Sequence, residues 1–198
     1  MSNIITGPYF LENNIPTADN DIFVVTKHPI WTSYNTETSE FGSTNISRFK
    51  YKQDVEHLYI NVDAHAKVMI GECEGCGVAS YGKLDDATWG DVLILGLGGF
   101  GVLPEYIKNQ KKPTSIDVVE EYQEIIDYVT WLNNSINIVC NDEWSYATLK
   151  KYDIIICDLW AESQDVLDNH KETLLNNYSD NLKAGGKLFI PLTGEILN

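Results

Sequence analysis

The chain has 198 residues, 43% of them apolar, and a formal net charge of −15; its length supports one core of ordinary size with room for a small appended unit. No apolar run reaches the roughly 18 residues of a membrane helix, and the N-terminus, MSNIITGPYFLENNIP, lacks the basic and apolar regions of a signal peptide. So acidic a balance repels phosphate backbones and argues against a nucleic-acid substrate; it either keeps the chain soluble or steers a cationic partner toward it.

Residues 1–47 are rich in Asn, Thr, Ser and Pro around short apolar pieces, which predicts strands and turns. Residues 48–71 alternate polar and apolar, as half-buried antiparallel strands do. The next segment, Cys73-Glu74-Gly75-Cys76, is half of a zinc site or a glycine turn. With only His65 near and no second such pair, the turn is the better reading, and no metal is expected. Cys140 and Cys157 fall in apolar runs, which predicts reduced thiols and a cytoplasmic location. The rhythm changes near residue 89, so residues 1–88 are expected to form a β-rich N-terminal region and 89–198 a second domain.

That second domain carries apolar runs at Val92–Leu95, 114–119, 136–140, 153–159 and 187–192. Helical spacings fill the gaps: Val119, Tyr122, Ile126 and Val129 in one, Leu167, Leu174, Tyr178 and Leu182 in another. Runs buried on both faces and alternating with amphipathic helices predict an α/β fold with a parallel, Rossmann-like sheet of five strands ordered 3-2-1-4-5. The chain stops just after the fifth run. A strand edge left open there would need cover, so a homodimer or higher oligomer is expected.

Gly96, Gly98 and Gly101 form G-x-G-x-x-G directly after the first run, with Gly99 inside it. Such a loop turns tightly, lets a ligand approach the backbone, and exposes the free N–H groups of a helix start. It also packs a helix on a sheet without any ligand. No G-K-[ST] follows, so this is not a triphosphate loop, and no G-x-S-x-G elbow occurs. Asp117 is read as the acid ending the second strand, placed to hold two ribose hydroxyls. Asn141-Asp142 ends the third strand and Asp158 the fourth, so these acids would share the crevice outside the carboxyl ends. Asp142 is equally readable as a helix N-cap, and Trp160 either packs in the core or stacks on a ligand.

VLILGLGGFGVLPEYIK, SIDVVEEYQEIIDYV, VCND, YDIIICDLWAE and LKAGGKLFIPL together resemble the spermidine synthase family of aminopropyltransferases, which shares the fold of class I S-adenosylmethionine-dependent methyltransferases. DAHAKVMIGE is similar to that family's N-terminal β-hairpin. The resemblance implies an adenosyl ligand: S-adenosylmethionine, its decarboxylated form, or methylthioadenosine. It implies that Asp117 holds the ribose, Asp142 lies beside adenine, and Asp158 is the catalytic acid nearest a reacting amine, with a polyamine as acceptor. The chain departs from the family at Gly99 and Ala161, where the family carries acids. The alternatives are a methyltransferase, although Ile94 stands where an acid is common there, a dinucleotide oxidoreductase, or a non-catalytic scaffold.

Overall fold

A computed structural model describes residues 17–20, 23–35, 40–51, 60–61, 84, 87–97, 101, 103–104, 107–108, 111–129, 135–159, 164–191 and 195–197. The chain divides into two compact units, Met1–Cys73 and Glu74–Asn198.

In the first unit, β1 (Ala18–Asp19), β2 (Phe23–Asn35), β3 (Glu40–Tyr51) and β4 (Ile60–Asn61) form an antiparallel sheet in the order β1-β2-β3-β4. The β2–β3 hairpin pairs Phe23 with Tyr51 and Asn35 with Glu40, and its register shifts once, between Trp31 and Ser33. The long strands extend well before the alternation seen from residue 48. Cys73, Cys76, His65 and the segment DAHAKVMIGE lie outside the described residues.

The second unit is a Rossmann-like sheet. Its strands are β5 (Asp91–Leu95), β6 (Ser115–Glu120), β7 (Ile136–Cys140), β8 (Tyr152–Cys157), β9 (Leu182–Ile190) and β10 (Glu195–Leu197), in the spatial order β10-β9-β8-β5-β6-β7. Val92 faces Ile116 on β6 and Ile154 on β8, both in parallel, and β6–β7 and β8–β9 are parallel too. The five parallel strands therefore take the order 3-2-1-4-5, and the chain reverses direction across the sheet between β5 and β8.

Burial explains the continuous apolar runs. Leu93 and Leu95 of β5 join Val119, Ile155, Cys157, Leu188 and Ile190 in one cluster, while Val92 and Ile94, equally buried, alternate to the other face. A helix, α1, follows the glycine loop; its described residues lie between 101 and 111, with Leu103, Pro104 and Ile107 buried. Helix α2 spans Gln123–Tyr128 and α3 spans Gln164–Tyr178. Leu174 and Tyr178, one helical turn apart, seat α3 on the Leu93–Leu95 face. No helix among the described residues is long and apolar enough to cross a membrane.

Three expectations are corrected. The second strand runs on to Glu120, and the spacing from Val119 to Val129 mixes a strand end with the short α2. The fifth strand begins at Leu182, before the glycines of AGGK, because the chain bulges there: the β8–β9 register shifts between Tyr152 and Ile154, and Gly185 takes φ +78° in the bulge. A sixth strand, β10, also exists. It pairs antiparallel with Leu188–Ile190, so the edge of the fifth strand is covered from within the chain and gives no reason for a second copy there.

The amino ends of the strands are tied by charge. Lys183 Nζ lies 2.6 Å from Asp91 Oδ2 and 2.7 Å from Asp153 Oδ2. Asp153 also accepts the Asp91 N–H at 2.7 Å. Lys150 Nζ lies 2.7 Å from Asp117 Oδ2, and Asn137 and the Tyr152 hydroxyl donate to the same carboxylate at 2.9 and 3.0 Å. Burial opposes ionisation of Asp117, but the hydrogen bonds from Lys150, Asn137 and Tyr152 outweigh it and hold the carboxyl below its ordinary 3.8. Stability from a depressed carboxyl is full above that value and is lost as the pH falls through the folded pKa. Asp117→Ala should therefore destabilise by about 2–3 kcal/mol at pH 7, seen as a lower urea midpoint at unchanged slope, and the deficit should shrink below about pH 4. A neutral midpoint would show that the cluster adds nothing.

Candidate functional site

Ligands of open α/β sheets sit outside the carboxyl ends of the strands, where the strand order reverses. Here that point lies beyond Leu95 and Cys157. Main-chain bonds knit the edge together: Gly96 N–H donates to Val119 O at 2.8 Å, Asp158 N–H to Leu95 O at 3.0 Å, and Asn141 N–H to Glu120 O at 3.1 Å.

Gly96 takes φ +86°, and a Cβ on it would lie 3.0 Å from both Asp158 O and a Leu159 methyl. Both facts demand glycine, and both are satisfied by the protein itself: this turn passes close over the end of β8. Gly101, at φ +80°, opens α1 with its N–H on Leu97 O. Gly98, Gly99 and Trp160 lie outside the described residues.

Asp117 is not at this edge. It is the third residue of β6, paired with Leu93 and Asn137, and its carboxylate belongs to the amino-end cluster. The acid at the carboxyl end of β6 is Glu120, which the sequence reading missed. It is 5% exposed. Its Oε2 accepts the Leu97 N–H at 3.0 Å, and its Oε1 accepts the Tyr122 N–H at 3.1 Å. Burial raises its pKa, against the backbone bonds that favour the ionised form. The signal lay in SIDVVEE, which holds Asp117 and Glu120 three positions apart. Only the strand's true end decides between them.

Asn141 follows β7, joined to Glu120 through its N–H. Asp142 behaves as a turn cap: its Oδ1 accepts the Trp144 N–H at 2.9 Å and its Oδ2 the Ser145 hydroxyl at 2.7 Å. The buried acid of this turn is its neighbour Glu143, 5% exposed, whose Oε1 accepts the Glu121 N–H at 3.0 Å. Burial, with Glu120 close by, pushes Glu143 up to about 8. Asp158 is half-buried directly after β8. Its neighbour Cys157 is an inert core thiol, pushed up to about 12 by burial. The carboxyl edge thus gathers Gly96, Leu97, Glu120, Asn141, Glu143 and Asp158, and leaves Asp117 out. No three His, Cys, Asp or Glu side chains among the described residues converge as metal ligands do.

No protein-family model matches the chain, and no curated protein matches it. Methyltransferases are among the solved structures similar to it. The plantazolicin methyltransferase BpumL in complex with SAH is 23% identical over 66% of this chain and 49% of its own, with a TM-score of 0.49. An S-adenosylmethionine-dependent methyltransferase from Clostridium acetobutylicum is 20% identical over 66% of this chain and 50% of its own, at 0.42. Coclaurine N-methyltransferase bound to N-methylheliamine and SAH is 17% identical over 70% of this chain and 38% of its own, at 0.47. The matched part of the chain thus spans about half the length of the first two and less of the third. The parallel sheet expected from the sequence is present in β5 to β9.

Glu143 yields a check on this geometry. Its folded pKa is raised, so its contribution to stability is full below the ordinary carboxyl range and is lost as the pH rises toward 8. Glu143→Gln keeps the acceptor and removes that loss. The variant should gain on the native chain across pH 5 to 8, by at most about 1.4 kcal/mol per pH unit, and the gain should level off above pH 8. Parallel stability curves for the two chains would place Glu143 in solvent instead.

Proposed function

We propose that the carboxyl edge of the sheet binds S-adenosylmethionine and that the chain is a methyltransferase-type transferase. The carrying observation is Glu120, a buried carboxylate at the end of the second parallel strand, held by the N–H of Leu97 from the glycine turn and that of Tyr122. Those two bonds orient the group and leave acceptor positions on both oxygens for the vicinal hydroxyls of a ribose.

Charge supports an adenosyl ligand over a dinucleotide. Glu120 ends its strand at this edge and Glu121, Asp142, Glu143 and Asp158 follow strand ends there, whereas Lys150 and Lys183 are held at the opposite end of the sheet. A pyrophosphate would meet several carboxylates; a sulfonium would be attracted by them. Methyl transfer is preferred to aminopropyl transfer because Gly99 and Ala161 replace the acids that the aminopropyltransferases carry.

Bound S-adenosylmethionine would supply the chemistry, a methyl group activated on a sulfonium. Glu120 would fix the ribose, Asn141 and Asp142 would border the adenine, and Gly98 and Gly99 would let the backbone approach the ligand's tail. Trp160 would stack at the mouth. Asp158, at the point where the strand order reverses, would take the proton that an amine or hydroxyl acceptor gives up.

Titration calorimetry with S-adenosylmethionine and S-adenosylhomocysteine tests this reading. Glu120→Ala removes two charge-assisted bonds of roughly 1.5–3 kcal/mol each, so binding should weaken about a hundredfold or more. Asp117→Asn should stay within about threefold of native, and Asp158→Asn should bind normally while methyl transfer falls. Tighter binding of decarboxylated S-adenosylmethionine would favour aminopropyl transfer. No binding of any of these ligands would leave a scaffold.

A further inference from the structure

The turn after β7 is held from two sides. Toward β6, Asn141 N–H donates to Glu120 O, and the Glu143 carboxylate accepts the N–H of Glu121 at 3.0 Å. Toward α3, the Tyr178 hydroxyl donates to Glu143 O, the Asn177 side chain donates to Trp144 O, and the Trp144 and His170 rings lie 4.1 Å apart. Tyr178 is fully buried in the cluster that seats α3 on the sheet. Two successive amides at the end of β6 are thus taken by two different carboxylates: Glu121 N–H by Glu143, Tyr122 N–H by Glu120.

Nothing about a turn requires a glutamate inside the protein, where burial of a carboxyl is costly. Asp142 already caps the turn from outside. Glu143 does something Asp142 cannot: it reaches the peptide next to Glu120 and fixes that strand end relative to α3.

We infer that Glu143 is a positioning residue, whose bond to the Glu121 amide keeps the Glu120 carboxylate aimed at the ligand edge. The inference rests on the ribose reading of Glu120 given above. Its chemistry suits the task. With a pKa near 8, Glu143 is largely the neutral acid at pH 7, so its carbonyl oxygen accepts the Glu121 amide without placing a second charge beside Glu120. The groups facing it are Glu120 at the end of β6 and Glu121 just after it, Asp142 in its own turn, Cys157 from β8 and Tyr178 from α3. The Cys157 thiol is pushed up to about 12 and the Tyr178 phenol higher still, so neither becomes an anion near pH 8. Ionisation of Glu143 above that pH sets two carboxylates against each other, and the end of β6 should loosen.

The test uses the whole chain as native, Glu143→Gln and Glu143→Leu, with two readouts. The first is calorimetric affinity for S-adenosylhomocysteine at pH 7 and pH 9. The second is amide exchange at Leu97, Glu121 and Tyr122 without ligand, corrected for the intrinsic pH dependence of exchange. At pH 7, Glu143→Gln should match native within about twofold, and Glu143→Leu should bind about tenfold or more weakly, with faster exchange at all three amides. Between pH 7 and pH 9 the native chain should lose affinity and protection at Leu97, whereas Glu143→Gln should lose neither. Native-like affinity and protection in Glu143→Leu would overturn the inference, as would identical pH profiles for native and Glu143→Gln. If Glu143→Leu does not fold, the comparison of native with Glu143→Gln decides alone. If the native chain binds no adenosyl ligand, the ribose reading fails, and the exchange readout still shows whether Glu143 fixes Glu120.

Discussion

The bond from Leu97 N–H to the Glu120 carboxylate joins the glycine turn to the second parallel strand. A carboxylate with so little exposure is costly to bury and persists only where donors face it. Here the donors are backbone amides on two elements. Their positions follow from the ladder below: Leu95 sits opposite Val119, and Gly96 N–H closes on Val119 O. The β5–β6 register thus fixes where the turn begins, and the turn and strand end together fix the carboxylate. The chemistry proposed for this edge depends on that one contact.

The two ends of the sheet have opposite characters. At the amino ends, lysines and aspartates from neighbouring strands satisfy one another. Lys183 bridges Asp91 and Asp153, and Lys150 bridges toward Asp117. Gly90 belongs to this arrangement, since a Cβ there would fall 2.1 Å from Asp153 Oδ2, inside the space the carboxylate occupies. At the carboxyl ends, the buried acids Glu120 and Glu143 are met by backbone amides instead. One end uses its polar groups to hold strands in register; the other ties its acids to the main chain of the turns.

The parallel sheet was legible because its strands are buried on both faces, which writes each as an unbroken apolar run. VLIL and INIVC fall within β5 and β7, and the order of the five parallel strands followed from crossover rules. Other features left weaker traces. The strand Glu195–Leu197 is too short for a periodicity, and the glycines of AGG interrupt the apolar run although the chain keeps its pairing through a bulge there. The carboxyl edge of the sheet was legible as a place, and Asp117, expected there, lies inside its strand instead. The strand ends at Glu120, three positions past Asp117, and no propensity distinguishes the two acids as its end. Lys150 and Tyr152, which claim Asp117, are far along the chain, so only the folded sheet reveals the competition.

Everything proposed for this edge turns on Glu120, rather than Asp117, facing the ribose of an adenosyl ligand. The most direct measurement is a crystal structure of the chain grown with S-adenosylhomocysteine. Both ribose hydroxyls should lie about 2.5–3.0 Å from Glu120 oxygens, with the Leu97 and Tyr122 amides still on that carboxylate and Asp117 still on Lys150. A ribose seated on Asp117, or a ligand bound away from the carboxyl ends of β5 and β6, would contradict it.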